Sequence, residues 1–273
     1  MNGAVTSPAR PHTPSRLQML GRQYDYWLTV YKRTWKGSVV TSFVLPLLYV
    51  LAMGVLLGGF VHSSPRQLDG APSYLAFVAP GLVAAQAMTT AIGEVTYPVM
   101  GMIKWHRTYY AMVATPLSVY DIVTAHLLFV AFRVATTCAV FFLVMSFFGV
   151  FSSVGGVFLA FAVCVLVGTA FAAPIYAFSA HTKSESSFAL IFRVLLIPLF
   201  LFSGAFFPIS NLPGPLELLA RVTPLWQGVD LVRQLVLGNV DGRLAVVHVL
   251  YLVVLTAVGW WLAVRALSRR LAV

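Results

Sequence analysis

The chain has 273 residues, of which 59% are hydrophobic and only 10% are charged. Soluble domains carry about 25% charged residues, so this composition excludes an ordinary soluble protein. A net charge of +10 does not indicate a nucleic-acid partner, because the basic residues lie in short segments between long apolar runs. Lipid admits only helices or closed barrels, and uninterrupted apolar runs are typical of helices.

The N-terminal residues 1–15 are rich in Pro, Ser and Thr, which predicts a disordered tail. Residues 16–36 then show helical periodicity. Their apolar face consists of Leu17, Leu20, Tyr24, Trp27, Tyr31 and Trp35. Lys and Arg occupy the remainder, which predicts an amphipathic helix at the membrane interface. A plain extension of the first membrane span would show the same pattern.

Six apolar runs approach the roughly 20 residues that a bilayer requires. We predict membrane spans at residues 39–61, 73–97, 118–148, 157–180, 188–207 and 244–267. The predicted fold is an all-α polytopic membrane protein with a transmembrane domain over residues 37–273. Cys138 and Cys164 fall inside predicted spans, so neither a disulfide framework nor a metal site is expected.

The distribution of Lys and Arg predicts the orientation of these spans. One side receives both termini and the loop between the second and third spans. The other side receives only Arg66, Arg221, Arg233 and Arg243. Because Lys and Arg are enriched in cytoplasmic loops, we predict cytoplasmic termini in a multi-pass protein of the bacterial cytoplasmic membrane.

The stretch at residues 207–238 is too apolar for an exposed loop, and its four prolines break it too often for another span. Two short helices fit it, at residues 213–221 and 224–237, the first capped by Ser210 or Asn211. We predict a re-entrant or interfacial hairpin on the outer face, between the fifth and sixth spans.

Two polar residues in the second helix of this hairpin, Asp230 and Arg233, are three positions apart, a spacing that allows an ion pair. The helix is predicted to end at Gly238, since glycine is common just after a helix.

The cytoplasmic segment at residues 98–117 is the second informative region. Met102, Trp105, Tyr109 and Met112 recur at helical spacing, and the cations of the segment point elsewhere. A short helix that ends before Pro116 would provide a contact surface for a partner protein. An ordinary connecting loop is the alternative.

Motifs for nucleotide binding and for hydrolysis are missing: the chain contains no G-x-x-x-x-G-K-[ST], G-x-S-x-G or H-E-x-x-H. Arg133 lies about 22 Å into the third span at 1.5 Å per residue. Intramembrane Arg usually faces the bundle interior or an aqueous cavity, so Arg133 and Glu94 are candidates for a substrate path. A purely structural pair between them is the alternative. Asp121, near the start of this span, fits a helix cap.

Two segments resemble those of a known family. Residues 200–235, FLFSGAFFPISNLPGPLELLARVTPLWQGVDLVRQL, resemble the C-terminal signature of ABC-2-type permeases. Residues 109–118, YYAMVATPLS, resemble that family's L-x-x-T-P-[LV]-S segment, with Met112 where Leu is commoner. The chain therefore resembles the membrane subunit of an ABC-2-type ATP-binding-cassette exporter. It is similar to permeases of daunorubicin-type drug exporters and of nodulation-factor or lipo-oligosaccharide exporters.

This resemblance implies a transport subunit that has no catalytic residue and binds no cofactor. A second permease copy or a related permease would complete the pathway in the lipid membrane, and separate ATP-binding-cassette ATPase subunits would bind ATP and Mg. The residues implied at the ATPase contact are Met102, Trp105, His106, Arg107, Tyr109 and Met112. Those implied at an extracellular gate are Phe206, Phe207, Pro208, Trp226, Asp230 and Arg233. The substrate would be a drug, a lipid or a lipid-linked glycan.

Two other classes of protein remain as alternatives. A secondary transporter would show internal repeats and ionisable residues at the membrane midplane, and no such repeat is evident. A membrane-embedded lipid-processing enzyme would need a convergent polar cluster. Its only candidates, Glu94, Asp121 and His126, are widely spaced in the sequence.

Overall fold

The computed structural model describes residues 15–59 and 68–272, and within those ranges the chain is helical and has no strand. In the described part of the chain, four helices are long and apolar enough to cross a membrane: Tyr74–Lys104, Val119–Ser146, Val154–His181 and Gly242–Leu271. The protein is thus an all-helical, multi-pass membrane protein. Of the two other predicted spans, the fifth is a shorter apolar helix, Ser186–Phe202. The first extends past residue 59, and residues 1–14 of the predicted tail also lie outside the described ranges.

The helices follow one another with short connections. In chain order they are α1 (Arg16–Tyr49), which continues as a π-helical segment (Val50–Leu57), α2 (Tyr74–Val95), α3 (Tyr97–Lys104), α4 (Thr108–Val113), α5 (Val119–Ser146), α6 (Val154–His181), α7 (Ser186–Leu190), a second π-helical segment (Ile191–Leu196), α8 (Ile197–Phe202), a 3₁₀ turn (Ile209–Asn211), α9 (Gly214–Val222), α10 (Pro224–Leu237) and α11 (Gly242–Leu271). We call the end with α9 and α10 the hairpin end and the end with α3 and α4 the loop end.

The predicted interfacial helix and the start of the first span form one uninterrupted helix, α1. Its aromatic face packs on α5: the ring of Trp27 is 4.0 Å from that of His126 and 5.2 Å from that of Phe129. Trp27 is only 4% exposed. This ring therefore contacts protein and not lipid headgroups, because α5 offers a matching aromatic surface.

The core is built around α2, whose side chains are buried along most of its length against α5, α6 and α10. α6 and α11 pack along each other, and small residues allow their close approach. A Cβ atom added to Gly259 would lie 2.6 Å from Cδ of Pro174. The polar start of α5 is closed by a capping box in which Ser118 and Asp121 bond each other's backbone. This confirms the cap predicted for Asp121.

The segment after α2 differs from the single helix that the sequence predicts. α2 ends at Thr96, and Pro98 stands in the first turn of α3, where its missing N–H is tolerated. Arg107 then adopts a left-handed conformation with φ 51° and separates α3 from α4. The prediction that Trp105 and Tyr109 share one helical face is therefore wrong, because α3 ends at Lys104 and Tyr109 belongs to a separate helix.

The hairpin contains the two predicted helices with one correction. α10 has the predicted bounds, its N-terminus is capped by the Thr223 hydroxyl, and Gly238 ends it with φ 77°. α9 begins after Pro213 without a side-chain cap, so the predicted cap from Ser210 or Asn211 is wrong. Those two residues belong to the 3₁₀ turn that precedes α9.

Candidate functional site

The hairpin end is held together by Arg233, a buried residue in the middle of α10. Its Nη2 donates to the carbonyl of Gly204 at 2.5 Å and its Nε donates to the carbonyl of Phe77 at 3.2 Å. The guanidinium also lies 3.8 Å from the centroid of the Phe77 ring, a cation–π contact. Arg233 thereby links α10 to the start of α2 and to the turn after α8.

The predicted ion pair between Asp230 and Arg233 is wrong. Arg233 lies 3.8 Å from a carboxylate oxygen of Asp69, in the turn before α2. Burial lowers the pKa of Arg233 to about 10, although Asp69 and Asp230 oppose this shift. The i, i+3 rule considers only one helix, and it fails here because Arg233 turns inward to carbonyl groups on other elements.

Asp230 instead faces α11. One of its carboxylate oxygens lies 3.0 Å from Nε2 of His248 and accepts from the Gln234 amide at 2.7 Å. The other His248 nitrogen bonds the amide oxygen of Gln227. Burial tends to raise the pKa of Asp230, but the hydrogen bonds from His248 and Gln234 outweigh it and the pKa lies below its ordinary value. Sequence reasoning missed Asp69 and His248, which lie outside the quoted segments, and Gln227, which lies inside one but was given no role.

The remaining predicted gate residues surround these two networks. Phe206 packs edge-on against Phe200 at 4.9 Å, and its carbonyl accepts from the Tyr74 hydroxyl. Phe207 is half-buried and Pro208 is buried in the same turn. Trp226 packs edge-on against His248 at 5.5 Å. The structure therefore brings all six predicted gate residues to the hairpin end.

The two hairpin helices differ in how firmly they are packed. α10 contacts α2, α6 and α11, and Gly228 lies so close to α6 that an added Cβ would be 2.3 Å from Cγ2 of Val167. In α9 only Ala220 is buried, and Leu218 is 67% exposed. α9 is therefore a peripheral helix attached to a fixed one.

The predicted ATPase-contact residues divide into two groups. Trp105 is 51% exposed, and its neighbours His106 and Arg107 are exposed at the turn between α3 and α4. Met102 is half-buried. Tyr109 and Met112 are buried in the core behind this turn.

Arg133 and Glu94 form an ion pair between α5 and α2, with Nε of Arg133 2.9 Å from Oε1 of Glu94. The guanidinium lies 4.6 Å from the centroid of the Tyr31 ring. The pair borders a cleft of about 460 Å³ between α1, α3 and α5. The walls of this cleft are largely aromatic and include Trp27, Tyr31, Tyr97, Trp105 and Phe129.

No group of three or more His, Cys, Asp or Glu residues in the described ranges is close enough to hold a metal ion. The three polar residues considered for a membrane enzyme do not form one site. Asp121 caps α5, Glu94 pairs with Arg133, and His126 bonds Tyr109 inside the core.

A comparison with protein families relates this arrangement to known proteins. The model of the ABC-2 type transporter family matches residues 25–237, most of the chain. The protein is an ABC-2 type transporter permease. Members of this family lack an ATPase domain, so the permease is a transport subunit of the cytoplasmic membrane and not an enzyme. Membership implies an ATP-binding-cassette ATPase as partner.

The permease is also similar to proteins named Nodulation protein J. That of Rhizobium leguminosarum bv. trifolii is 32% identical over 254 residues, covering 90% of this chain and 94% of the relative. That of Sinorhizobium fredii (strain NBRC 101917 / NGR234) is 30% identical over 252 residues, with the same coverage. That of Rhizobium meliloti (strain 1021) is 29% identical over 252 residues. The similarity extends past the family match into α11.

Proposed function

We propose that the permease forms the membrane pathway of an ATP-driven exporter that moves an amphiphilic substrate outward. Two copies of the chain enclose the pathway, with both termini and the loop end in the cytoplasm and the hairpin end outside. The observation that carries this proposal is the match to the ABC-2 family, together with a hairpin packed across one end of the bundle.

The loop end supplies the contact with the ATPase. Trp105, His106 and Arg107 are exposed together at the turn between α3 and α4, so a partner reaches all three at once. Tyr109 and Met112 contribute from behind, by fixing the position of α4 in the core. The ATPase binds ATP and Mg, and the permease binds no cofactor of its own.

The substrate is an amphiphile, either a drug, a lipid or a lipid-linked glycan. We favour a lipo-oligosaccharide over a drug, because the permease is similar to proteins named Nodulation protein J. The aromatic cleft at the Arg133–Glu94 pair suits such a molecule, since aromatic walls accept apolar groups and the paired charges offer hydrogen bonds to a polar head.

The hairpin serves as the outer gate. α10 is fixed to the bundle by Arg233 and by the Asp230–His248 pair, while α9 has little buried surface. Opening then requires α9 to move about the Thr223 junction and leaves α10 in place.

The proposal is tested by purifying the permease with its ATPase and reconstituting the complex in vesicles. We expect ATP-dependent movement of a fluorescent lipo-oligosaccharide, and no movement without the ATPase or with non-hydrolysable nucleotide. Arg133→Met should slow transport while ATPase binding stays normal, and Trp105→Ala should weaken ATPase binding. Transport by the permease alone, driven by an ion gradient, would contradict the proposal and favour a secondary transporter.

A further inference from the structure

Three polar side chains form a continuous hydrogen-bonded chain inside the core at the loop end. The Tyr176 hydroxyl, on α6, donates to the Tyr109 hydroxyl at 2.9 Å. The Tyr109 oxygen lies 2.8 Å from Nδ1 of His126, on α5. All three side chains are completely buried. Such a network inside a membrane protein is expensive unless its members are satisfied, and satisfied networks fix the relative positions of the elements that carry them.

The direction of this chain determines the state of His126. Because the Tyr109 oxygen accepts from Tyr176, the single Tyr109 proton is directed to Nδ1 of His126. Nδ1 is then an acceptor, and the proton of the neutral imidazole is on Nε2. His126 therefore has a donor that faces away from Tyr109.

This donor faces a backbone irregularity in α2. Nε2 of His126 is buried without a partner of good hydrogen-bond geometry, while the imidazole interacts with the backbone of Glu94. The carbonyl of Glu94 lacks its regular helical donor, because the residue four positions later is Pro98, which has no N–H. His126 thus has one completed bond toward α4 and, on its other side, only a weak contact with the backbone of Glu94 in α2.

The same histidine is attached to α1. The Trp27 ring stacks on His126 at 4.0 Å with an angle of 23° between the planes. Four residues earlier in α1, Gln23 contacts α4, with its Nε2 3.2 Å from the sulfur of Met112. Displacement of α4 therefore acts on His126 from two directions, through Tyr109 and through α1.

We propose that His126 is a positioning residue that transmits displacement of the coupling loop (α3 and α4) to α2. When the ATPase shifts the loop, Tyr109 shifts His126, and the weak contact of Nε2–H with the backbone of Glu94 becomes a full hydrogen bond. The side chain of Glu94 carries the ion pair with Arg133, so this bond adjusts the pair at the aromatic cleft. The inference rests on the proposed function, since it requires an ATPase that acts on the loop.

The test uses the reconstituted permease–ATPase complex and needs no identified substrate. Its readout is the rate at which a membrane-impermeant maleimide labels Leu218→Cys on α9, with ATP and vanadate or without nucleotide. The native Cys138 and Cys164 are buried and give little background. Tyr109→Phe should reduce the nucleotide-dependent change in labelling about fivefold, the shift expected from loss of one ordinary hydrogen bond. Because the variant also leaves buried Tyr176 and His126 without their partner, ATPase binding and thermal stability are measured in parallel, and labelling is compared at equal ATPase occupancy.

Two further variants separate transmission from folding. His126→Asn retains an acceptor near the position of Nδ1 and loses the donor at Nε2, so we expect a response as weak as that of Tyr109→Phe. The lost ring contact with Trp27 is read separately, as a change in thermal stability. Tyr176→Phe leaves the Tyr109–His126 bond in place and should cause a smaller, about twofold loss. If Tyr109→Phe does not accumulate in cells, the labelling rate of Tyr176→Phe is measured in its place.

The matched control is Tyr110→Phe, the neighbouring residue, whose hydroxyl has only a long contact of 3.4 Å with the backbone of Arg270. It should respond as the wild type does. A wild-type response in both Tyr109→Phe and His126→Asn, or an equal loss in Tyr110→Phe, would overturn the role of His126. A wild-type complex without any response to nucleotide would overturn the proposed function, and this inference with it.

Discussion

Replacing Arg233 by Met removes the residue that links α10 to two other parts of the bundle. The variant loses the hydrogen bonds to the carbonyl groups of Gly204 and Phe77. Bonds from a charged donor contribute roughly 1.5–3 kcal/mol each, so about 3–6 kcal/mol is lost before compensation. We expect the packing of α10 on the bundle to weaken before the rest of the bundle unfolds, because these bonds hold α10 in place.

The Met variant recovers part of this free energy, because it no longer has to remove a charged guanidinium from water. Burial lowers its pKa to about 10, from an ordinary value of 12.5. At 1.36 kcal/mol per pKa unit, this corresponds to roughly 3 kcal/mol of desolvation that the Met variant avoids. The Asp69 carboxylate is about half exposed and is not left as a buried, unpaired charge. The net destabilisation should be about 0–3 kcal/mol.

Arg233→Lys distinguishes charge from geometry. Lysine keeps a buried charge, but its single ammonium group cannot reproduce the two bonds that the planar guanidinium makes. We therefore expect Arg233→Lys to be no more stable than Arg233→Met. Thermal unfolding of the purified permease in detergent measures both, and a destabilisation of this size corresponds to a few degrees.

The control for this series is Arg221→Met. Arg221 pairs with Glu217 on the exposed side of α9, and an exposed i, i+4 pair contributes only about 0.3–0.5 kcal/mol. Wild-type stability in Arg233→Lys would refute the reasoning, because charge alone would then suffice. So would equal losses in Arg221→Met and Arg233→Met.

Three further predictions follow from packing, titration and exposure. Gly259→Ala should destabilise the permease by roughly 1–3 kcal/mol in thermal unfolding, because its Cβ would lie 2.6 Å from Pro174, whereas Gly155→Ala, with nothing within 4 Å, should be neutral. The Asp230 carboxylate stabilises the fold above the ordinary pKa of 3.8, and this stabilisation is lost as the pH falls through its lower folded pKa. Between pH 5 and pH 3, the free energy of unfolding should therefore fall less in Asp230→Asn than in the wild type. The control Asp25→Asn, at an exposed position, should keep the wild-type dependence on pH. A membrane-impermeant maleimide added outside cells should label Leu218→Cys, 67% exposed, and leave Leu231→Cys, 1% exposed, unmodified; labelling from the cytoplasmic side alone would reverse the assigned orientation.

Elements that depend on local pattern were predictable from the sequence. The bounds of α10 were predicted because Pro224 and Gly238 act through the backbone of their own segment. The span containing α6 was predicted within a few residues, since an apolar run of that length has few alternatives in a membrane. The cap at Asp121 follows from contacts three residues apart.

Features that depend on distant contacts were not predictable. The partners of Arg233 include the carbonyl of Phe77, 156 residues away in the sequence, and no periodicity relates the two. The pairing of His248 with Asp230 likewise requires the positions of α10 and α11 to be known. The break at Arg107 was missed because its left-handed conformation is uncommon for a residue with a side chain.

The polar side chains of the permease concentrate at the two ends of the bundle, and α2 takes part at both. At the hairpin end, the carbonyl of Phe77 accepts from Arg233 on α10. Toward the loop end, Glu94 near the end of α2 pairs with Arg133 in the middle of α5. Between these points most side chains of α2 are buried. The bend at Thr96 and Pro98 is where that helix can change direction, and His126 lies beside it.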